Sequence, residues 1–459
     1  MMPDRVADIR LRYGVNLFGF ALLVMLGLVV DAGLARYAVA AVPIVVIAVG
    51  VSAIAPGAGV AGVLAAAPTM YELHPVPWRQ ASLVELAILA LTAGIGLRLC
   101  WSLVHRDFAP WRALVTPVQV VLPVVLIVLA AIVAAIMVAD PSRRAVSLRE
   151  VRTVIIEPIM FLAAARIAFR NPVHRTFAAA SFVGIGAAVA ILAVLQVVLD
   201  SGGVRAGDIL RATGPYPHPN NLSFFLERTF LLSVGFAIAR PRWWGIWVLV
   251  AVQLAGLGLT WSRGAWLAAA FGVGVLFLIR GMYRWLAGLG LAGILAIVAA
   301  FIIAPDRIVD AGGSGVEPTR FTIWRASMRM VRDHPVFGVG PDQFLYQYWR
   351  RYVEPRGWPE RYTSHPHNLI LDIWLRLGVL GLVAFGTLLS GVIWRLRTTW
   401  KSIRADLWAP GAIAALAAGL LHGFVDNGFF LPDLATMTWF FLAILLSAPA
   451  LSIPESNPQ

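Results

Sequence analysis

Residues 117–139 read PVQVVLPVVLIVLAAIVAAIMVA and contain no charged side chain. A helix of this length crosses a hydrocarbon layer about 30 Å thick. Backbone polar groups inside lipid need partners within their own segment, so such a run is predicted to be helical. Similar runs recur along the chain, and the sequence therefore predicts an all-α, polytopic integral membrane protein. The predicted spans are 15–34, 82–104, 117–139, 146–169, 176–199, 220–239, 243–260, 264–280, 284–304, 367–394, 409–425 and 432–450.

The composition agrees with lipid as the main solvent of this chain. Hydrophobic residues make up 59% of the 459 residues and charged residues 13%, whereas soluble domains have about 45–50% and about 25%. The net charge of +13 could suggest a nucleic-acid partner. However, the basic residues lie in short connections between apolar runs, where they set topology. No nucleic-acid binding is predicted.

The number of crossings depends on residues 37–68, an apolar stretch interrupted by Pro43 and Pro56. Two short spans there bring the total to about fourteen, and one span gives fewer, so we predict about 12–14 transmembrane helices. Arginines cluster at alternate connections, for example at Arg166 and Arg240, and such connections are predicted to be cytoplasmic. The predicted organisation is a transmembrane region at 1–304, a large outward loop at 305–366 and C-terminal transmembrane helices at 367–459.

The outward loop is rich in arginine, including Arg320 and Arg325, although arginine is usually scarce on that side. Part of the loop has the apolar spacing of an amphipathic helix lying against the membrane surface. A second helix is predicted to begin at Pro341 and to run through Tyr348, since proline suits a first helical position. The apolar residues with helical spacing are Phe321, Trp324, Met328 and Val331.

The most informative motif is His365-Pro366-His367-Asn368, followed by an apolar run containing Gly378 and Gly381. This histidine–glycine spacing resembles the signature of the O-antigen ligase and polymerase family. The resemblance extends to three further elements, which are Ser262-Arg263-Gly264, Gly338-Val339-Gly340 and Asp426. It implies a fold similar to the lipid-carrier-dependent, GT-C-like glycosyltransferases. It also implies a bacterial inner-membrane enzyme whose active site faces the periplasm.

The resemblance and the chemistry of the side chains together indicate a site. Arginine donates paired hydrogen bonds to phosphate oxygens and stays charged, so Arg263, Arg320 and Arg325 are predicted to bind a donor diphosphate. Histidine titrates near working pH, so His367 is predicted to be the catalytic base. Supporting roles are predicted for Asp426, Asn368, His365, Arg149 and Arg152.

Purely structural interpretations stand beside these roles. His367 could cap a helix at the interface, and Arg263 could extend towards lipid headgroups. Arg325 could belong to a headgroup-binding face of the loop. Asp426 could make a buried structural hydrogen bond or could orient His367.

The resemblance implies a glycan on undecaprenyl diphosphate as the donor, and the acceptor decides the activity. A lipid A-core acceptor makes the protein an O-antigen ligase, which we favour. A second lipid-linked glycan makes it a polymerase, and a protein acceptor makes it an O-oligosaccharyltransferase. The alternative of another class is an inorganic carbon-type transporter, but no internal repeat of the kind found in transporters is evident. No cofactor is predicted, and no catalytic metal is predicted because no cluster has metal-ligand spacing.

Overall fold

The computed structural model describes residues 2–77, 79–115, 117–303 and 316–448. Helices dominate it, and the prediction of an all-α fold is confirmed. Two short antiparallel hairpins pair His74–Val76 with Arg79–Ala81 and Val204–Ala206 with Ile209–Arg211. The α-helices are Met2–Asp31, Ala38–Ile54, Pro56–Ala66, Leu83–Val104, Ala109–Val115, Val118–Ile136, Arg144–Glu150, Glu157–Ala168, Pro172–Val198, Pro219–Ala239, Trp244–Leu259, Arg263–Arg280, Tyr283–Ile303, Val316–Asp333, Phe344–Gln347, Leu369–Thr398, Trp400–Ala405, Ala409–His422 and Pro432–Leu446.

Seven helices in the described residues are long and apolar enough to cross a membrane. The chain is therefore a multi-pass membrane protein. Residues 37–68 form two helices that meet at Pro56, as the version with two short segments predicts. The total of about 12–14 crossings stays a prediction, because several other apolar helices are shorter than a full span. The seven long segments are Ala7–Asp31, Leu83–Val104, Val118–Ile136, Pro172–Val198, Pro219–Ala239, Arg263–Arg280 and Leu369–Thr398.

The helix Pro219–Ala239 lies at the centre of the bundle, and nearly all of its side chains are buried. It packs against the helices Trp244–Leu259, Arg263–Arg280 and Ala409–His422. Gly235 faces Gly411 so closely that a Cβ on Gly235 would lie 2.6 Å from the Gly411 Cα. This small-residue contact lets the two backbones approach, as is common between membrane helices.

The predicted amphipathic helix of the outward loop is present as Val316–Asp333. Its buried face includes Ile323, Ala326 and Met330, which pack in a small separate core with other residues of the loop and with Leu375 of the helix Leu369–Thr398. Phe321 and Met328 are exposed on the other side, where they could meet the membrane surface. Val331 was expected with them and is instead buried, because it belongs to the loop's own core.

The second loop helix was predicted to begin at Pro341, and this boundary is wrong. The α-helix begins at Phe344 and continues as a π-helical turn through Tyr352. The preceding residues cannot join the helix because Asp342 has a positive φ of 53°.

The long helix Leu369–Thr398 is broken at Gly378, which has φ 67° and ψ −169°. The loop segment 336–340 packs into this break in the helix. The backbone N–H of Val339 donates to the Leu375 carbonyl at 2.7 Å, and that of Val379 donates to the Val336 carbonyl at 3.1 Å. Gly378 thus lets the outward loop dock onto the helix that follows the histidine motif.

Gly378→Ala is expected to destabilise the protein strongly. The backbone conformation of Gly378 is nearly exclusive to glycine and costs other residues about 1–3 kcal/mol. In addition, a Cβ at this position would overlap the Val336 carbonyl oxygen. The measurement is the thermal unfolding midpoint in detergent, with Gly386→Ala as control, because a Cβ at Gly386 meets nothing within 4 Å. Equal midpoints for the two variants would contradict the argument.

Candidate active site

His367 occupies a strained turn just before a helix. Its φ is 53°, a left-handed conformation that is uncommon for a residue other than glycine. The sequence placed His367 at the outer end of the helix, but the helix begins at Leu369 because Asn368 is its N-cap. The Asn368 Oδ1 accepts a hydrogen bond from the Leu371 N–H at 3.1 Å. Strained residues of this kind often lie at functional sites.

The turn is held against the connection between the last two helices, residues 422–426. The Asn368 Nδ2 donates to the Phe424 carbonyl at 3.1 Å. The Leu369 N–H donates to the Gly423 carbonyl at 2.6 Å. These two bonds place the His367 side chain beside Asp426, which lies 59 residues away in the sequence.

The His367 ring is held at both nitrogens. Its Nδ1 lies 2.8 Å from Asp426 Oδ1, and its Nε2 lies 3.1 Å from Thr363 Oγ1. Because a carboxylate only accepts hydrogen bonds, Nδ1 carries the proton and donates to Asp426. The Thr363 hydroxyl lies 3.1 Å from both His367 Nε2 and the His365 carbonyl oxygen, so its single proton is shared between these two acceptors. This is the geometry of a histidine general base oriented by a carboxylate.

Asp426 is buried, with 5% of its surface exposed. Burial by itself raises the pKa of a carboxyl group, but the hydrogen bonds of Asp426 with His365 and His367 outweigh it and hold its pKa well below the usual range. The Asn220 Nδ2 donates to the second carboxylate oxygen at 3.0 Å. Asp426 therefore stays ionised at working pH and holds the His367 ring. Of the two roles predicted for Asp426, this geometry fits the one in which Asp426 orients the His367 ring.

Arg320 reaches the same place from the outward loop. Its guanidinium donates a hydrogen bond to the Val425 carbonyl, and its Nη2 lies 3.7 Å from Asp426 Oδ2. A quarter of its side chain is exposed, so part of the guanidinium fork faces solvent. The site thus brings together a histidine and a permanent cation from different segments.

Arg263 is the exposed first residue of the helix Arg263–Arg280, as predicted. The following residue, Gly264, packs directly on the connection 422–426. A Cβ on Gly264 would lie 2.8 Å from His422 Nε2 and 3.6 Å from Val425 Cγ2. The start of this helix, whose free N–H groups attract anions, therefore adjoins the residues that hold Arg320 and His367.

His365 also lies at this site, with its ring centroid 4.4 Å from that of His367. Its Nε2 is 3.5 Å from Asp426 Oδ1, longer than the His367 contact. The three side chains His365, His367 and Asp426 offer atoms within 4.8 Å of one another, a spacing at which a metal ion could be held. The sequence did not reveal this cluster, because Asp426 lies 59 residues from His367 in the chain. The predicted absence of a catalytic metal stays a prediction.

The other predicted arginines have different partners. Arg325 is mostly exposed and pairs with Glu354 at 2.9 Å. Arg152 contacts Glu85 and lies 2.7 Å from Glu157. Arg149 is exposed on the helix Arg144–Glu150. The contacts of these arginines in the described residues do not bring them to His367.

Two residues that the sequence analysis did not assign complete the site. Asn220 bonds to Asp426, and Arg211 donates to Asn220 Oδ1 at 3.1 Å and to the Thr260 carbonyl at 2.9 Å. Arg211 thus links Thr260, in the segment before Arg263, to Asn220, which bonds to Asp426. The available signal was an arginine in the polar connection 200–219 and an asparagine at the start of the predicted span 220–239.

A buried charge network lies next to the site. Asn427 donates to Asp372 at 2.6 Å, and Asp372 accepts from Arg376 at 2.7 Å. Arg376 also pairs with Glu150. The network anchors the residue that follows Asp426 to the helix that follows His367, so it stabilises their relative position. Asp372 and Arg376 are four residues apart in a predicted helix, which was the signal for an ion pair.

Comparison with known proteins identifies the segment that carries much of this site. Residues 248–386 match the family model described as O-antigen ligase. A curated O-antigen ligase of Salmonella typhimurium (strain LT2) is 32% identical over 161 residues. This alignment covers 32% of the chain and 38% of that relative's length. The resemblance to the O-antigen ligase family is confirmed.

Proposed function

We propose that this protein is a membrane glycosyltransferase, since residues 248–386 match the family model described as O-antigen ligase. It moves a glycan from undecaprenyl diphosphate to an acceptor hydroxyl on the outer face of the bacterial inner membrane. The favoured acceptor is the lipid A core, which makes the protein an O-antigen ligase. The observation that carries this proposal is the Asp426–His367 pair, with Arg320 bonded to the adjoining Val425 carbonyl.

In the proposed reaction, His367 Nε2 accepts the proton of the acceptor hydroxyl. The oxygen attacks the anomeric carbon of the donor sugar, and the bond from that carbon to the phosphate oxygen breaks. The electron pair stays on the departing undecaprenyl diphosphate, and attack from the opposite face inverts the anomeric centre. The proton that Nδ1 shares with Asp426 keeps the ring in the reactive tautomer.

Arg263 and Arg320 bind the diphosphate and stabilise the charge that develops on it. Hydrogen-bond donors to the diphosphate come from two segments. One is the partly exposed side chain of Arg320, and the other is the set of free N–H groups at the start of the helix Arg263–Arg280. Arg325 has a secondary role because Glu354 already neutralises part of its charge. The arginines perform the charge stabilisation that a divalent ion performs in other glycosyltransferases, so the transfer step is metal-independent.

Reconstitution tests the proposal. The purified protein is placed in proteoliposomes with glycan-loaded undecaprenyl diphosphate and a lipid A-core acceptor, with EDTA present. The expected products are free undecaprenyl diphosphate and glycosylated lipid A core. A ladder of longer lipid-linked glycans without the core acceptor indicates a polymerase, and glycan on an added protein indicates an O-oligosaccharyltransferase. Solute uptake without glycan transfer would reject the enzyme in favour of a transporter.

A further inference from the structure

Three potential metal ligands meet at a place outside the proposed active site. Asp31 ends the first helix, and Glu72 and His74 lie at the start of the hairpin that pairs His74–Val76 with Arg79–Ala81. One ligand atom from each of the three lies within 4.8 Å of the other two. His74 Nδ1 is 3.8 Å from Asp31 Oδ1.

His74 is buried, with 6% of its surface exposed, yet its ring lacks hydrogen bonds within the described residues. Its Nε2 is buried without a partner. Its distance from Asp31 is too long for a hydrogen bond. A buried imidazole normally has such partners. Nδ1 is the nitrogen that faces Asp31, so it is the ring atom placed to bind a ligand held by the carboxylates.

The local charges point the same way. The chain has 37 lysines and arginines against 24 acidic residues. Even so, among the side chains that the structure describes, Asp31 and Glu72 form no ion pair with a lysine or arginine. Asp31 also lies at the C-terminal end of its helix, where the helix dipole disfavours a negative charge. Two carboxylates and a helix C-terminus therefore favour a cation at this place.

We propose that Asp31, Glu72 and His74 bind a Zn²⁺ ion. Zinc accepts nitrogen and carboxylate ligands, and tetrahedral ligands lie about 3.4 Å apart. The present separations therefore need only a modest contraction, which the exposed carboxylates of Asp31 and Glu72 permit. Water occupies the remaining position, and the exposed carboxylates give the ion a path from solvent.

The ion links the end of the first helix to the segment 72–74, and the neighbouring Tyr71 contacts Tyr216 and Asn221. Tyr71, beside Glu72, accepts a hydrogen bond from the Asn221 side chain at 2.5 Å. The Tyr71 ring also packs edge-on against Tyr216, with 6.3 Å between centroids. The ion thus bears on how these segments are held together, and its existence does not depend on the proposed glycosyl transfer.

Calorimetric titration of the metal-stripped, full-length protein in detergent with Zn²⁺ tests this site. The wild type is expected to bind Zn²⁺ saturably at this site. Asp31→Asn and Glu72→Gln should each weaken binding by about tenfold or more, because each removes an anionic ligand. Asp208→Asn is the matched control, since this exposed carboxylate lies on the other hairpin connection, and should leave the affinity unchanged.

A second variant separates this site from the active-site cluster. His365→Ala with His367→Ala removes the other possible zinc ligands and should leave the affinity at the Asp31 site unchanged. Metal-free Glu72→Gln should melt at the temperature of the metal-free wild type, which shows that its loss of binding is not a loss of folding. The proposal is overturned if the wild type binds no Zn²⁺, if Glu72→Gln and Asp31→Asn bind as the wild type does, or if the double histidine variant alone abolishes binding.

Discussion

His367→Gly is expected to lower kcat by about 10²- to 10⁴-fold, the contribution of a well-placed general base. The acceptor hydroxyl then has no group to take its proton, and Asp426 loses the ring that it orients. Acceptor KM should change little, because binding of the glycan and the diphosphate involves other residues. The measurement is steady-state release of free undecaprenyl diphosphate from the reconstituted protein.

Glycine is the appropriate replacement because His367 has a φ of 53°, which glycine adopts without strain. The variant should therefore fold with an unchanged melting temperature. His365→Ala is the companion variant, and its effect should be smaller because its contact with Asp426 is 3.5 Å against 2.8 Å for His367. A variant with near wild-type turnover would remove His367 from catalysis.

Arg320→Ala is expected to lower kcat by about 10²-fold or more, comparable to the loss of one donor that stabilises developing charge. The variant loses a permanent cation beside the leaving diphosphate, and it also loses the hydrogen bond to the Val425 carbonyl. Arg320→Lys should recover only part of the rate, because lysine keeps the charge but lacks the planar fork. The same release assay measures both variants.

Arg332→Ala is the matched control, because Arg332 is an exposed arginine at the far end of the same helix. Its turnover should stay close to that of the wild type. Arg325→Ala should have an intermediate effect because of the Glu354 pair. Equal losses in Arg320→Ala and Arg332→Ala would instead indicate that the loop helix binds anionic headgroups through its total charge.

The site depends on one short connection, residues 422–426. It accepts hydrogen bonds from Asn368, Leu369 and Arg320, and it presents Asp426 to His367. The helix break at Gly378 then holds the outward loop against the same region. The histidine motif and Gly378 thus act on the same region, since the motif supplies His367 and the glycine positions the loop that carries Arg320.

The prediction of an all-α membrane fold followed from local properties. Long uncharged runs such as 117–139 become helices in lipid regardless of their neighbours, because their backbone groups have no other partners. The N-terminal position of Arg263 and the loop helix Val316–Asp333 could be predicted for the same reason, since helix starts and amphipathic spacing are local patterns. The boundary at Phe344 and the burial of Val331 could not, because packing within the loop determines both.

The sequence by itself determined that the chain is a bundle of membrane helices with a conspicuous histidine motif and an arginine-rich loop before it. Only the tertiary structure decided which of those arginines adjoin His367. Arg320 lies beside Asp426, whereas Arg325 and Arg152 form ion pairs with glutamates. Arg211 and Asn220, for which the sequence predicted no role, also belong to the site. The physical reason is that hydrogen bonds and ion pairs act over a few ångströms, and the distances between side chains from remote segments are set by packing, which no local pattern encodes.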